Sequence, residues 1–356
     1  MKKFILMAGL AICATGAAAQ TEVVTGVMRG KDYGVTYALP KTLVEIEIKA
    51  NKVNYTPGDF YKYAERYLRM DKVKGKAETY WELVSVKVRA AGVPDSENVH
   101  FVKMKDKTVA PLIELTQDGI IKSINVPMNE RDREAKKEAP KTPVKRIADP
   151  KSFFTQEILM AGSTSKMAEL VAQEIYNIRE SKSALVRGQA EAMPTDGEQL
   201  KLMLKNLDEQ EEALTTTFAG IHDKEERTYI LRLQPENIGE GSVAFRFSKK
   251  LGVLGNKDLS GEPVYISLKN LNTLPEANEE EKKEKKKEDG VAYNVPGKAA
   301  VKLTQGKKIW DEQEISLTQF GEREYLAPAL FNKNSTIKII FDPTTGGLLK
   351  VDRGME

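Results

Sequence analysis

The chain of 356 residues carries 55 basic and 52 acidic side chains, two histidines and one cysteine, for a formal net charge of +3. So even a balance sets up no global field for nucleic acid or anionic lipid, and two histidines with one cysteine exclude a His-rich metal site, cysteine–zinc sites, iron–sulfur clusters and an internal disulfide. The length suits two or three domains with ample material for buried cores.

The chain begins MKKFILMAGLAICATGAAAQ. Lys2 and Lys3 form a positive region, Phe4 to Ile12 an apolar one, and Ala17-Ala18-Ala19 a small-residue cleavage signal. The apolar run falls short of the roughly 20 residues a bilayer requires. The expectation is a signal peptide over residues 1–19, a mature chain from Gln20, and an exported protein, periplasmic or envelope-associated. Cys13 leaves with the signal, because Ile12 before it is too bulky for lipoprotein processing. Without Cys13 there is no thiol nucleophile, and loss of Lys2 and Lys3 leaves 53 basic against 52 acidic residues, or +1. No later segment is long and apolar enough to predict a transmembrane anchor.

Residues 20–127 read as a β-rich N-terminal domain with one short helix. In TLVEIEIKA, Val44, Ile46 and Ile48 alternate with Glu45 and Glu47, and in WELVSVKVRA, Val84, Val86 and Val88 align while Leu83 falls out of phase. Asp59 suits a helix N-cap, with Phe60, Tyr63, Ala64 and Tyr67 on one face. PLIELTQDGIIKSINV predicts two strands around a turn at Asp118-Gly119. Residues 128–150 are charged and proline-containing, a linker too poor in apolar groups to offset its ordering entropy.

Residues 151–220 predict a long antiparallel helical hairpin. Met167, Val171, Ile175, Ile178 and Leu185 keep a 3-4 spacing, as do Leu200, Leu204, Leu207, Leu214 and Phe218, with Glu211 in the one missing place. Thr195 and Glu198 read as a capping box, and Gly188 and Gly220 as the two helix ends. The charged knot of Arg179, Glu180, Asp196 and Glu198 is then the bend and body of a hairpin, with the acids complementing the helix dipole. Glu211 is placed to pair with Arg179 or Lys182 of the facing helix and to fix register.

Residues 221–356 return to strands, at TYILRLQP, SVAFRFS, PVYISLKN, AAVKLT, STIKIIFDP and GGLLKVD, interrupted by a charged disordered loop at 275–290. GVTYALP at 34–40 resembles GVAYNVP at 290–296, and DGIIKSI at 118–124 resembles GGLLKVD at 346–352, in the same order. The fold class expected is therefore α+β, with two β-rich domains, duplicated from one another, flanking the hairpin.

HExxH, GxSxG and complete Walker motifs are missing, and no cofactor or metal is expected. The enriched residue type is aromatic: Tyr33, Tyr37, Tyr55, Phe60, Tyr61, Tyr63, Tyr67, Tyr80 and Trp81 fall early in the mature chain. Such rings suit a saccharide or peptide surface. Phe60, Tyr63 and Tyr67 share a helical face and belong to the core, which leaves Tyr61, off that face, and Tyr80 or Trp81, opposite in a strand, as ligand-binding candidates. The abundant acids also leave open a carboxylate pair acting on glycans.

The segments EILMAGSTSKMAELVAQEIYNIRES, MPTDGEQLKLMLKNLDEQEEAL, YGVTYALPKT and LTQFG together resemble domain of unknown function 4831, a family of exported Bacteroidetes proteins. The resemblance implies an exported envelope protein and carries over no catalytic residue. The expectation is a non-enzymatic binding or scaffold protein with an envelope protein or glycan as partner and no nucleic acid; the alternative is a carboxylate-dependent glycan hydrolase. Oligomeric state is not legible.

Overall fold

A computed structural model describes residues 33–104, 113–126, 147–191, 193–194, 196–274, 290–326 and 337–353. The expected signal peptide, most of the linker, the charged loop at 275–289, Thr195 and the side chain of Tyr33 lie outside the described residues.

The strands are β1 (Tyr33–Thr56), β2 (Glu78–Met104), β3 (Ile113–Leu115), β4 (Ile121–Ile124), β5 (Ile221–Leu233), β6 (Ser242–Ser248), β7 (Gly252–Leu254), β8 (Glu262–Asn270), β9 (Val291–Gln305), β10 (Lys308–Leu326), β11 (Ile337–Phe341) and β12 (Leu348–Arg353). The helices are α1 (Ala64–Leu68), α2 (Gln156–Leu159), α3 (Thr164–Arg187) and α4 (Gly197–Ala219). A β-rich α+β protein is what the alternating segments predict. β10, a strand of 19 residues, has no counterpart among the expected strands.

Three antiparallel sheets form, with orders β2-β1-β5, β10-β9-β8-β6-β7 and β12-β11-β4-β3. The first two face each other: Val44, Ile46, Ile48, Val86 and Val88 meet Phe245, Val264, Ile266, Val301, Leu303 and Leu317 in one core. A second core gathers Tyr37 and Leu39 from β1, Ile121 and Ile124 from β4, Val291 from β9, and Ile339 and Phe341 from β11. The two β-rich segments thus share sheets and cores: β5 pairs with β1, and β11 with β4. At about 3.3 Å per residue, the 24 residues of β1 run roughly 80 Å and reach both cores.

Local sequence explains the irregularities. β1 and β2 shift register between Lys49 and Ala50, so that Ala50 faces Leu83 and Lys49 faces Ser85, leaving Val84 as the extra residue of a bulge. Val84 is accordingly 47% exposed, while Leu83 packs on the core with Val86 and Val88. β10 breaks register between Leu317 and Glu322. There Thr318 and Gln319 turn to Thr42 of β1: Thr42 N donates to Thr318 Oγ1 at 3.0 Å, Thr318 N to Thr42 Oγ1 at 2.9 Å, and Gln319 Nε2 to Thr42 O at 2.7 Å. The LTQFG and YGVTYALPKT segments therefore meet in space.

β1–β2 followed by β3–β4 repeats in kind as β9–β10 followed by β11–β12, and both long hairpins carry a third antiparallel strand on their first member, β5 or β8. Ala38 and Asn294 occupy the same place in the two GVxYxxP segments. Each backbone N–H donates to a glycine carbonyl inside the DGIIKSI or GGLLKVD segment, Gly119, the second residue of the first, at 2.9 Å and Gly346, the first residue of the second, at 3.1 Å.

The helical hairpin forms as its spacing predicts, with Val171, Ile175, Ile178, Leu214 and Phe218 in a core that also takes Phe60, Ala64 and Leu68. Gly188 ends α3 at φ +70°, and Gly220 ends α4 at φ +83°. The N-cap of α4 is Asp196, whose carboxylate accepts from Gln199 N at 2.7 Å, rather than Thr195. Glu211 accepts from Arg179 Nε at 2.6 Å and Lys182 Nζ at 2.8 Å. Asp59 does not cap the short helix: a 3-10 turn at Tyr61–Tyr63 precedes α1, and Phe60 and Tyr63 hold the N-cap positions without side-chain bonds.

Candidate functional site

The three aromatic candidates separate. Tyr80 and Trp81 do point to opposite faces of β2, and the bulge decides which is buried. Trp81 shares the sandwich side with Leu83, 8% exposed, its ring packed where a Cβ on Gly252 would come within 2.9 Å. Its backbone N–H donates to Lys249 O at 2.7 Å, and the Arg227 guanidinium lies 5.4 Å from the ring. Trp81 is thus a core residue rather than a free platform.

Tyr61 and Tyr80 border the same loop, residues 69–77. The half-buried Tyr61 ring lies on the bare backbone of Gly75, where a Cβ would stand 2.3 Å from Cε2. Tyr80 places its hydroxyl 3.3 Å from His222 Nδ1, with the Lys74 ammonium 5.6 Å from its ring. Tyr55 ties this corner together: its hydroxyl donates to Lys74 O at 2.7 Å and lies 3.2 Å from Ala219 O, and its ring is 4.7 Å from that of His222. Burial pushes the Tyr55 phenol up, and the hydrogen bond from Lys74 to Glu78 raises the lysine.

Tyr63 and Tyr67 pack on the helical core only in part. Their rings stand 6.0 Å apart, the Arg66 guanidinium lies 5.3 Å from Tyr67, and Tyr176 of α3 donates its hydroxyl to Tyr67 O at 2.9 Å. Arg179 sits 5.6 Å from the Tyr176 ring. Sequence reasoning missed Tyr176, although its place beside Ile175 and outside the apolar seam of α3 is the signal that would have found it.

The acids are arranged for structure. Glu45 is 2% exposed and is held by Arg89 on one side and by Arg232 Nε at 2.8 Å on the other. Burial alone would raise its carboxyl, but the hydrogen bonds from Arg232 and Arg89 outweigh that and hold it below the ordinary range. Glu211 is likewise depressed by Lys182 and Arg179 against burial, and Asp258 by hydrogen bonds from Ser260. An open groove of about 530 Å³ runs between β2 and β10, lined by Glu47, Val84, Lys87, Trp310, Asp311 and Gln313 among others. Its floor is already committed: Asp311 accepts from Val88 N at 2.8 Å and Gln313 donates to Val88 O. Lys308 lies 3.2 Å from the Trp310 ring centroid, covering the face a sugar would use.

Among the described residues no group of three or more His, Asp or Glu side chains is arranged to hold a metal ion, and no helix is long and apolar enough to cross a membrane. No curated protein and no solved structure matches the chain. A family model does match, over residues 33–349, and so takes in the helical hairpin, the tyrosine-rich corner and every strand except most of β12; the chain belongs to the family described as Domain of unknown function (DUF4831).

Proposed function

We propose that the protein is an exported, envelope-associated binding or scaffold protein that does no chemistry of its own. One observation supports this reading above the others: the corner formed by residues 61–80 and α3 carries Lys62, Arg66, Lys74 and Arg179 each within 6 Å of a tyrosine ring, at 5.9, 5.3, 5.6 and 5.6 Å. Tyrosine and arginine held together at a surface combine apolar area with directed donors at little entropic cost, as recognition surfaces do. A glycan hydrolase acting through paired carboxylates has less support, since Glu45, Glu211 and Asp258 are all shifted away from the raised value a general acid needs. Export rests on the N-terminal segment alone. We also read β1–β4 and β9–β12 as duplicates, on their two successive antiparallel hairpins and on the Ala38 and Asn294 hydrogen bonds to glycines of the two similar segments.

Thermal melting of residues 20–356 against glycans, peptidoglycan fragments and acidic peptides tests the binding reading. A ligand at about 100 times its Kd adds about 2.7 kcal/mol, a shift of a few degrees. Tyr61→Ala and Tyr80→Ala should abolish that shift while leaving the unliganded Tm close to that of the parent. Trp81→Ala is unsuitable, because it opens the sandwich core. Binding that survives both tyrosine changes would remove this corner from consideration.

A further inference from the structure

The binding reading leaves the chemistry of the partner open, and part of the corner narrows it. Tyr63 at the N-cap of α1, Tyr67 of α1 and Tyr176 of α3 form a strip, joined by the 6.0 Å ring approach of the first two and the hydrogen bond of the third to Tyr67 O. Arg66 and Arg179 lie over two of these rings. A guanidinium resting on a ring face keeps its N–H edge directed outward, and that edge matches a carboxylate in two-point contact. Arg179 already spends Nε on Glu211. Arg66 is exposed, and among the described residues no acid stands within ion-pair distance of it.

The segment that carries Arg66 shares its sign. Between Asp59 and Glu78 there are six basic residues against four acidic ones, in a chain whose overall charge is only +3. Lys62, Arg66, Arg69, Lys72 and Lys76 are all exposed there. A guanidinium lies over Tyr67 at 5.3 Å and over Tyr176 at 5.6 Å from the ring centroid, so a stacked sugar would compete with a cation on that face. Tyr176 is 46% exposed, an amphipathic side chain of the kind that anchors protein contacts.

We propose that the Tyr63–Tyr67–Tyr176 strip, with Arg66 and Arg179, is a docking surface for an acidic, aromatic-containing segment of a protein partner. This rests on the binding reading above and specifies its ligand. The carboxylates of the partner meet Arg66 and the neighbouring lysines, and its rings or aliphatic groups pack along Tyr67 and Tyr176. Rim charges of this sort set association rate and salt dependence, so the contact weakens as ionic strength rises.

The full chain is titrated by fluorescence anisotropy with a labelled glutamate–tyrosine copolymer, a lysine–tyrosine copolymer of equal length and labelled polygalacturonate. The glutamate–tyrosine copolymer should bind and the lysine–tyrosine copolymer should not. Arg66→Glu should weaken binding at least about tenfold and Tyr176→Ser about threefold or more, the range of contributing interface residues. Both side chains are exposed, and Tm confirms that the variants fold. Lys257→Glu, in a separate loop, should leave binding unchanged. Equal affinity of the parent and both variants overturns the proposal. So does polygalacturonate binding that Arg66→Glu abolishes while the glutamate–tyrosine copolymer stays free, an outcome that keeps the binding reading and transfers the strip to an acidic glycan. If no polymer binds, and no ligand in the melting panel responds to Tyr61→Ala or Tyr80→Ala, both readings fall together.

Discussion

Thr42 on β1 and Thr318 on β10 exchange hydrogen bonds, each backbone N–H donating to the other's hydroxyl at 3.0 and 2.9 Å. Thr42 is wholly buried. Replacing either hydroxyl by a methyl group strands a backbone N–H without a partner, at a cost of about 1–3 kcal/mol. Thr42→Val and Thr318→Val are each expected to lower urea unfolding stability by that amount. Because they act on one reciprocal pair, the double variant should fall short of the sum by more than about 0.5 kcal/mol. Strict additivity would show that the pair is not the lock it resembles.

Glu45 should dominate the acid limb of stability. Its folded carboxyl lies below its ordinary value, as does that of Glu211. Their contribution is therefore fully present above the unfolded carboxylate range, about pH 4.3, and is lost as pH falls through the depressed folded values. Glu45→Gln should cost roughly 1–2 kcal/mol at pH 7, less than a fully buried pair because Arg89 and Arg232 are both 58% exposed. The gap between parent and variant should narrow as pH drops below 4. A gap independent of pH would point to packing at Glu45 rather than to its charge.

Two helix-ending glycines separate strain from collision. Gly188 at φ +70° faces open space, whereas a Cβ on Gly220 at φ +83° would come within 2.5 Å of Thr56 O and of the Tyr55 ring. Gly188→Ala should cost about 1 kcal/mol, for conformation alone. Gly220→Ala should cost clearly more, since it also displaces Tyr55 from Lys74 O. Equal Tm changes would mean that the corner yields without resistance.

Asp196 caps α4 through Gln199 N. Asp196→Ala is expected to cost about 1 kcal/mol. Hydrogen exchange should localise the loss to the first turns of α4, leaving amides of the sandwich unchanged. Faster exchange throughout the β cores would contradict a locally acting cap.

Period-two alternation made β1, β6, β8 and β11 visible, and 3-4 spacing did the same for both long helices, because each pattern follows from one buried face. β10 escaped because its register breaks between Leu317 and Glu322, and its stretch WDEQE offers no alternation on the buried side. Val84 was misplaced for a related reason: a bulge opposite Lys49 and Ala50 is decided by the partner strand, not by β2 itself. That same shift chose Trp81 for the interior and left Tyr80 outside, a choice that alternation alone leaves symmetric. Glu211 was readable as a gap in an apolar seam. Tyr176 matters through its contact with Tyr67, 109 positions earlier, which no local pattern encodes.

The length and sharing of β1 set the order in which the molecule can assemble. α3 and α4 are neighbours in sequence and can pair as soon as both have been synthesised. β1, by contrast, waits for β5 more than 160 residues further on, and its first residues close their core only when Ile339 and Phe341 arrive. A nascent chain that stops before β5 therefore holds a finished helical hairpin beside a long strand pair whose sandwich-facing apolar side has nothing to cover it. Closing contacts this distant in sequence makes folding slow, and throughout that interval the exposed face of β1 and β2 is the part of the chain most in need of a chaperone.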